Sequence, residues 1–170
     1  MKKNKQLAKI FAETLQLSVN YPPPTSTAIH SVPDTIELIN YDNPLAADIG
    51  AGNITVLPMD TVSALQTLSG KVAVLNMASR KRFGGGVVNG AMAQEECLFR
   101  CSNLCQVSKN VEHWYPLQED EGIYTKDVTF FRDVDYNAIS DPIVADVITI
   151  PAINLNKVTL SEHEYIDLTL

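Results

Sequence analysis

Leu7, Ile10, Phe11 and Leu15 recur at helical spacing near the start of the chain, which predicts a first helix over residues 4–18 with one buried face. Tyr21-Pro22-Pro23-Pro24 ends it, because proline has no N–H to offer and clashes with a continuing helix. Residues 25–52 are rich in Pro, Asn, Asp and Gly, with one short apolar stretch at Ile36–Ile39, and read as a surface excursion containing a strand. Asn53–Leu57 is β-branched and apolar, a further predicted strand. Asp60 or Thr61 then caps a short helix carrying Val62, Leu65 and Leu68 and closed by Gly70. The best strand signal is Lys71–Met77, whose continuously apolar run Val72–Leu75 predicts burial on both faces. Three glycines follow, then a helix from about Met92 to Cys105, with later strands expected at Asp127–Arg132 and Ala145–Ile150.

This order of elements predicts a layered α/β or α+β architecture. The 170 residues suit a single domain, residues 1–170, long enough to bury a core. With 45% hydrophobic and 19% charged residues, the composition excludes a disordered chain. A net charge of −7 argues against a protein that grips the nucleic-acid backbone through a basic surface, so direct binding of that kind is not expected. An anionic ligand would have to be met by local backbone N–H groups, since the overall field repels it.

The only cysteines, Cys97, Cys101 and Cys105, are odd in number and bunched, which is no disulfide framework and points to a reducing cytoplasm. The basic N-terminus reads as an amphipathic helix, because it lacks the apolar run and cleavage site of a signal peptide. No stretch approaches the ~18–20 apolar residues that span a bilayer. A cytoplasmic location without membrane contact is expected.

The chemistry concentrates at Gly84-Gly85-Gly86. A buried strand, a tight glycine turn and a helix together let backbone approach a ligand closely and present unpaired N–H donors to a phosphate or diphosphate. A P-loop needs a Lys-Ser or Lys-Thr that is missing, and Asn89 stands where a dinucleotide fingerprint needs its third glycine. Taken alone, three glycines are equally a turn without a ligand. Gln94, Glu95 and Glu96 sit at the start of the next helix. They are either first-turn acids on a solvated helix or a general acid/base beside a phosphosugar. Glycosidic cleavage needs a proton for the leaving oxygen and stabilisation of an oxocarbenium-like centre, and a glutamate in a desolvated pocket can supply the proton. Adjacent on a helix, Glu95 and Glu96 point roughly 100° apart. One is therefore expected to be catalytic and the other to orient a hydroxyl.

Val74-Leu-Asn-Met-Ala-Ser79, Phe83-Gly-Gly-Gly86 and Gln94-Glu-Glu96, with the spacer Val87–Ala93, resemble the microbial-type poly(ADP-ribose) glycohydrolases, a branch of the macrodomain fold. Met59-Asp-Thr61, Leu98–Ser102, Tyr124 through Phe131-Arg132, Pro151-Ala152 and Asn154 are similar as well. The resemblance spans about residues 7 to 156. It implies a macrodomain-like three-layer mixed sheet flanked by helices. It also implies hydrolysis of the ribose–ribose bond of poly(ADP-ribose), releasing ADP-ribose. Glu96 would protonate the leaving oxygen and Glu95 would position ribose hydroxyls. Asn76 would bind the distal ribose, and Gln94 would belong to the ligand-binding set. The backbone of Gly84, Gly85, Gly86 and Val87 would lie along the diphosphate. No metal or cofactor is implied. Two departures are visible: Phe83 replaces the proline usual before the glycines, and the family's C-terminal helix, strand and second glycine-rich loop are not expected in this chain. Either a partner chain would then complete the fold, or the pocket would be open and weak.

Other residues carry weaker signals. The cysteines fall at i, i+4 and i+8, a stripe that reads as core, with Cys97 alone near enough to the helix start to be a nucleophile. His30, His113 and His163 are scattered and read as surface or loop residues. Glu119-Asp120-Glu121 reads as a solvated loop. Trp114-Tyr115 could stack on an adenine or anchor the core. Besides the enzyme, two other functions fit: a binding module for ADP-ribose without turnover, and a truncated subunit that needs a partner.

Overall fold

The computed structural model describes residues 2–30, 54–118 and 121–152. Helix α1 spans Lys2–Ser18 and closes with the Ser18 hydroxyl donating to the Leu15 carbonyl at 2.9 Å. The proline run then leads away, pinned by Asn103, whose amide donates to the Pro22 carbonyl at 2.8 Å. Tyr21 stacks on Phe131 with ring centroids 4.7 Å apart. Strand β1, Thr25–His30, follows directly. The expected apolar stretch Ile36–Ile39 lies outside the described residues.

Residues 54–57 are not a strand, against expectation. Ile54 and Val56 are 94% and 91% exposed, because a β-branched run makes a strand only where a sheet edge accepts it. Helix α2, Thr61–Leu65, is capped by Asp60, whose carboxylate accepts the Val62 and Ser63 N–H groups at 2.9 and 3.0 Å. The helix stops at Leu65, so Leu68 is left exposed beyond it.

Strand β2, Ala73–Ala78, corrects the expectation of burial on both faces. Val74, Asn76 and Ala78 are buried, while Leu75 and Met77 are 50% and 55% exposed. Among the described residues β2 pairs with one strand only, so its apolar run alternates between a packed and an open side.

Helix α3, Gln94–Cys101, is shorter than predicted. Ser102 turns to extended geometry and bridges to Phe130, and its hydroxyl donates back to the Leu98 carbonyl at 2.8 Å. Cys105 therefore lies in the 3-10 turn Leu104–Val107 and not on the same helix. Cys101 and Cys105 are buried and Cys97 is partly so, which is the core reading without the continuous stripe. A short helix α4, Ser108–Val111, and a 3-10 turn, Glu112–Trp114, follow.

Strands β3, Glu121–Arg132, and β4, Ala138–Pro151, are both longer than predicted. Polar residues such as Lys126, Asp127 and Asp141 hide their ends from a hydrophobic pattern. A bulge between Thr125 and Val128 puts Asp127 at φ 59°, where its N–H reaches the Asp146 carboxylate at 3.0 Å. The sheet order is β1-β3-β4-β2, with β2 parallel to β4 and the other pairs antiparallel. The result is a mixed sheet flanked by helices. Phe99, Leu98, Val74, Val147, Ile123 and Phe130 belong to its core. Among the described residues no helix is long and apolar enough to cross a membrane.

Candidate active site

Parallel strands β2 and β4 end together at Ala78 and Pro151, and the glycine loop leaves from the end of β2. Ligands of open α/β sheets favour this carboxyl end, where loops rather than strands meet solvent. Gly84 and Gly85 take φ of +80° and +53°, the left-handed region that suits glycine. Space is also short. A Cβ on Gly84 would stand 2.7 Å from the Phe99 ring, and one on Gly85 would stand 2.5 Å from Glu96 Oε1 and 2.9 Å from Glu95 Oε2. The missing side chain of Gly85 is the room into which both carboxylates reach.

Glu95 and Glu96 are 2% and 5% exposed, so the reading of solvated first-turn acids is wrong. Their burial is tolerated because each oxygen finds a donor. Glu95 accepts the Ser79 N–H at 2.8 Å and the Gly84 N–H at 2.9 Å, joining the end of β2 to the loop. Glu96 accepts the Gly86 N–H at 2.8 Å and the Ala93 N–H at 2.9 Å, joining the loop to the start of α3. Burial pushes the Glu95 carboxyl up to about 7, against the pull of the Ser79 and Gly84 N–H bonds, and the Glu96 charge adds to the rise. Glu95 therefore stays protonated over part of the neutral range.

All four loop N–H groups are engaged within the chain. Gly84 and Gly86 donate to the glutamates, Gly85 to the Arg82 carbonyl at 3.2 Å, and Val87 to the Gly84 carbonyl at 3.0 Å. A diphosphate seat here would begin from a loop already closed on itself, not from free donors.

Asn76 is fully buried on the α3 side of β2, and its amide NH2 donates to Thr149 Oγ1 at 3.1 Å. Its carbonyl oxygen has no hydrogen-bond partner among the described residues. Gln94 is occupied differently from the others. Its amide accepts the Met77 N–H at 2.9 Å and donates to the Leu75 carbonyl at 2.6 Å, closing part of the outer edge of β2 as a strand would. Asn76, Glu95, Glu96 and the glycines thus come together, and Gln94 borders them through the strand edge.

The loop is anchored from below. Phe83 packs edge-on to Phe99 at 4.8 Å and lies 6.2 Å from the Tyr115 ring. The Leu117 N–H donates to the Arg80 carbonyl at 3.0 Å, tying the segment after Tyr115 to the chain before the glycines. Arg100, which the sequence reading passed over, is fully buried and donates to the Ala91 and Leu7 carbonyls, so helix α1 and the loop share one support. A buried arginine within a Glu-Glu-Cys-Leu-Phe-Arg helix carries no local signal, because the Leu7 carbonyl that helps to hold it is distant in sequence.

Cys97 interacts with Cys101, Tyr136 and Arg100; the thiol–thiol hydrogen bond draws Cys97 down and Cys101 up. Trp114 and Tyr115 pack against the core, and Trp114 also lines a cleft of about 210 Å³ with His113, Ile29 and Glu121, which neither the glycine loop nor Glu95 or Glu96 borders. His163 and residues 119–120 lie outside the described residues, while Glu121 opens β3 and accepts the Gln118 N–H at 2.8 Å. No cluster of three or more His, Cys, Asp or Glu able to hold a metal occurs among the described residues.

At its strand ends the mixed α/β sheet thus carries two buried carboxylates that clasp a glycine turn. The sequence model of the microbial-type PARG catalytic domain matches residues 1–133, and the chain belongs to that family. Solved structures of poly(ADP-ribose) glycohydrolase are similar. The enzyme from Thermomonospora curvata bound to the inhibitor ADP-HPD is 26% identical, with a TM-score of 0.74 over 95% of this chain and 69% of that one. The enzyme from Deinococcus radiodurans in complex with ADP-ribose is also 26% identical, with a TM-score of 0.63 over 93% and 64%. No curated protein is significantly similar.

Proposed function

We propose that this chain hydrolyses the ribose–ribose O-glycosidic bond of poly(ADP-ribose) and releases ADP-ribose, with residues 1–170 acting as one domain. The reading rests above all on the meeting of Glu95 and Glu96 over Gly85, where two buried carboxylates share a space that only a glycine leaves open. Family membership and the likeness to ligand-bound glycohydrolases support it.

In this mechanism Glu96 gives its proton to the leaving oxygen as the bond from that oxygen to the anomeric carbon breaks. The sugar passes through an oxocarbenium-like state, water adds to the anomeric carbon, and the proton lost by the water returns to the carboxylate. Glu95, its carboxyl pushed up to about 7 by burial, orients a ribose hydroxyl. Asn76 accepts from the distal ribose, and the Gly84–Val87 backbone lies along the diphosphate. Release of ADP-ribose from the polymer should fall by about 10²–10⁴-fold in Glu96→Gln. Well-folded parent protein that releases none would overturn the assignment.

Binding without turnover is a second reading, favoured by one observation. Both Glu96 oxygens and all four loop N–H groups already have partners within the chain. Calorimetry with ADP-ribose separates the two, since a pure binding module keeps its affinity in Glu96→Gln and yields no product.

A further inference from the structure

Two buried polar atoms lack a hydrogen-bond partner among the described residues: the carbonyl oxygen of Asn76 and the hydroxyl of Tyr115. Buried polar groups are almost always satisfied, so two orphans in one neighbourhood need a common explanation. Both residues interact with the same carboxylate. The Asn76 side chain interacts with Glu95, and Tyr115 packs on Phe83, whose neighbour Gly84 donates to Glu95 at 2.9 Å. The Tyr115 phenol is pushed up, first by burial and then by the Glu95 charge, so it remains a donor at any working pH.

The orphans differ in sense. Asn76 offers an acceptor and Tyr115 a donor, while Glu95 uses two of its lone-pair sites on Ser79 and Gly84 and has others to spare. An acceptor and a donor that both interact with one carboxylate suit neighbouring hydroxyl groups, each of which both donates and accepts. We propose that Tyr115 is a sugar-binding residue, its hydroxyl donating to the vicinal diol of the ribose that Asn76 and Glu95 also hold. This deepens the glycohydrolase reading and rests on it. Tyr115 is thereby more than the core anchor that its ring contacts suggest, and its hydroxyl is buried and unpaired in the free protein because the ligand supplies the partner.

Removing the hydroxyl in Tyr115→Phe tests this in the full chain, with calorimetry against ADP-ribose and against ADP, which lacks the distal ribose. A thermal melt accompanies both. The melting temperature should hold or rise, since an unsatisfied buried group is deleted. ADP-ribose should bind about tenfold more weakly, the loss of roughly one hydrogen bond, with ADP unaffected. Phe83→Leu is the control: it disturbs the ring packing while keeping the hydroxyl, and should lower the melting temperature without separating ADP-ribose from ADP. Unchanged ADP-ribose affinity in Tyr115→Phe overturns the proposal, as does equal weakening of both ligands, which marks a structural role. If the parent chain binds no ADP-ribose, the proposed function falls with it; if the parent binds and the variant binds equally, only this inference falls.

Discussion

The two faces of strand β2 show how differently one short segment can be used. Val74, Asn76 and Ala78 face α3 and the glycine loop and are buried, and that side gathers buried polar groups, each carrying a free-energy cost. Leu75 and Met77 point the other way and stand half-exposed, apolar and without chemistry. Six consecutive residues, apolar but for Asn76, thus divide into a side that gathers buried polar groups and a side that does not. Hydrophobicity alone does not mark an active site. The mark is a polar group kept in a place where it is costly to keep.

The most damaging way to break that contrast is to fill the site side. Gly85→Ala puts a methyl group against both carboxylates and forces a left-handed backbone on alanine. Stability should fall by about 2–4 kcal/mol and polymer hydrolysis by at least about 100-fold, checked by denaturant unfolding and product assay.

The buried charge gives a second measure. Glu95 carries a carboxyl raised from 4.5 to about 7 in the folded state. The folded protein therefore holds a proton that the unfolded chain releases. Its contribution to stability is full below about pH 4.5 and is lost as the pH rises through about 7, on the order of 3 kcal/mol at most. Thermal melts from pH 4.5 to 8 should show this decline, and Glu95→Gln should flatten it. A parent melting temperature that is level across the window, or that rises, would contradict the raised carboxyl.

The smallest effects compare the two faces directly. Val74→Ala, on the packed side, should cost about 2 kcal/mol, whereas Leu75→Ala, although it removes more carbon, should cost about 1 kcal/mol or less. Equal losses would mean that the outer face is as well packed as the inner one.

The glycine loop and the two glutamates were legible because their signal is local. Three glycines after a strand and before a helix announce a backbone that must turn tightly. The Asp60 cap was legible for the same reason. Residues 54–57 misled, since Ile54 and Val56 have strand propensity but no strand to pair with. The ends of β3 and β4 went unread because a bulge and polar positions interrupt their alternation.

The role of Arg100 could not be read from spacing, and Tyr115 stood out only as an aromatic able to stack or anchor. Arg100 is explained by the Leu7 carbonyl and Tyr115 by its packing beside Phe83, contacts that join separate segments of the chain. Gln94 shows the converse: its place beside the glutamates was plain, but its bonds to the edge of β2 were not.

By itself, then, the sequence determined where the turn had to be, which residues could carry a proton, and which family they resemble, because glycine geometry and carboxylate chemistry are properties of neighbours along the chain. Only the tertiary structure decided that Glu95 and Glu96 are buried rather than solvated, that the loop N–H groups are already spoken for, and which face of β2 is buried. Burial and hydrogen-bond pairing depend on what folds against a residue, and no stretch of sequence contains that information alone.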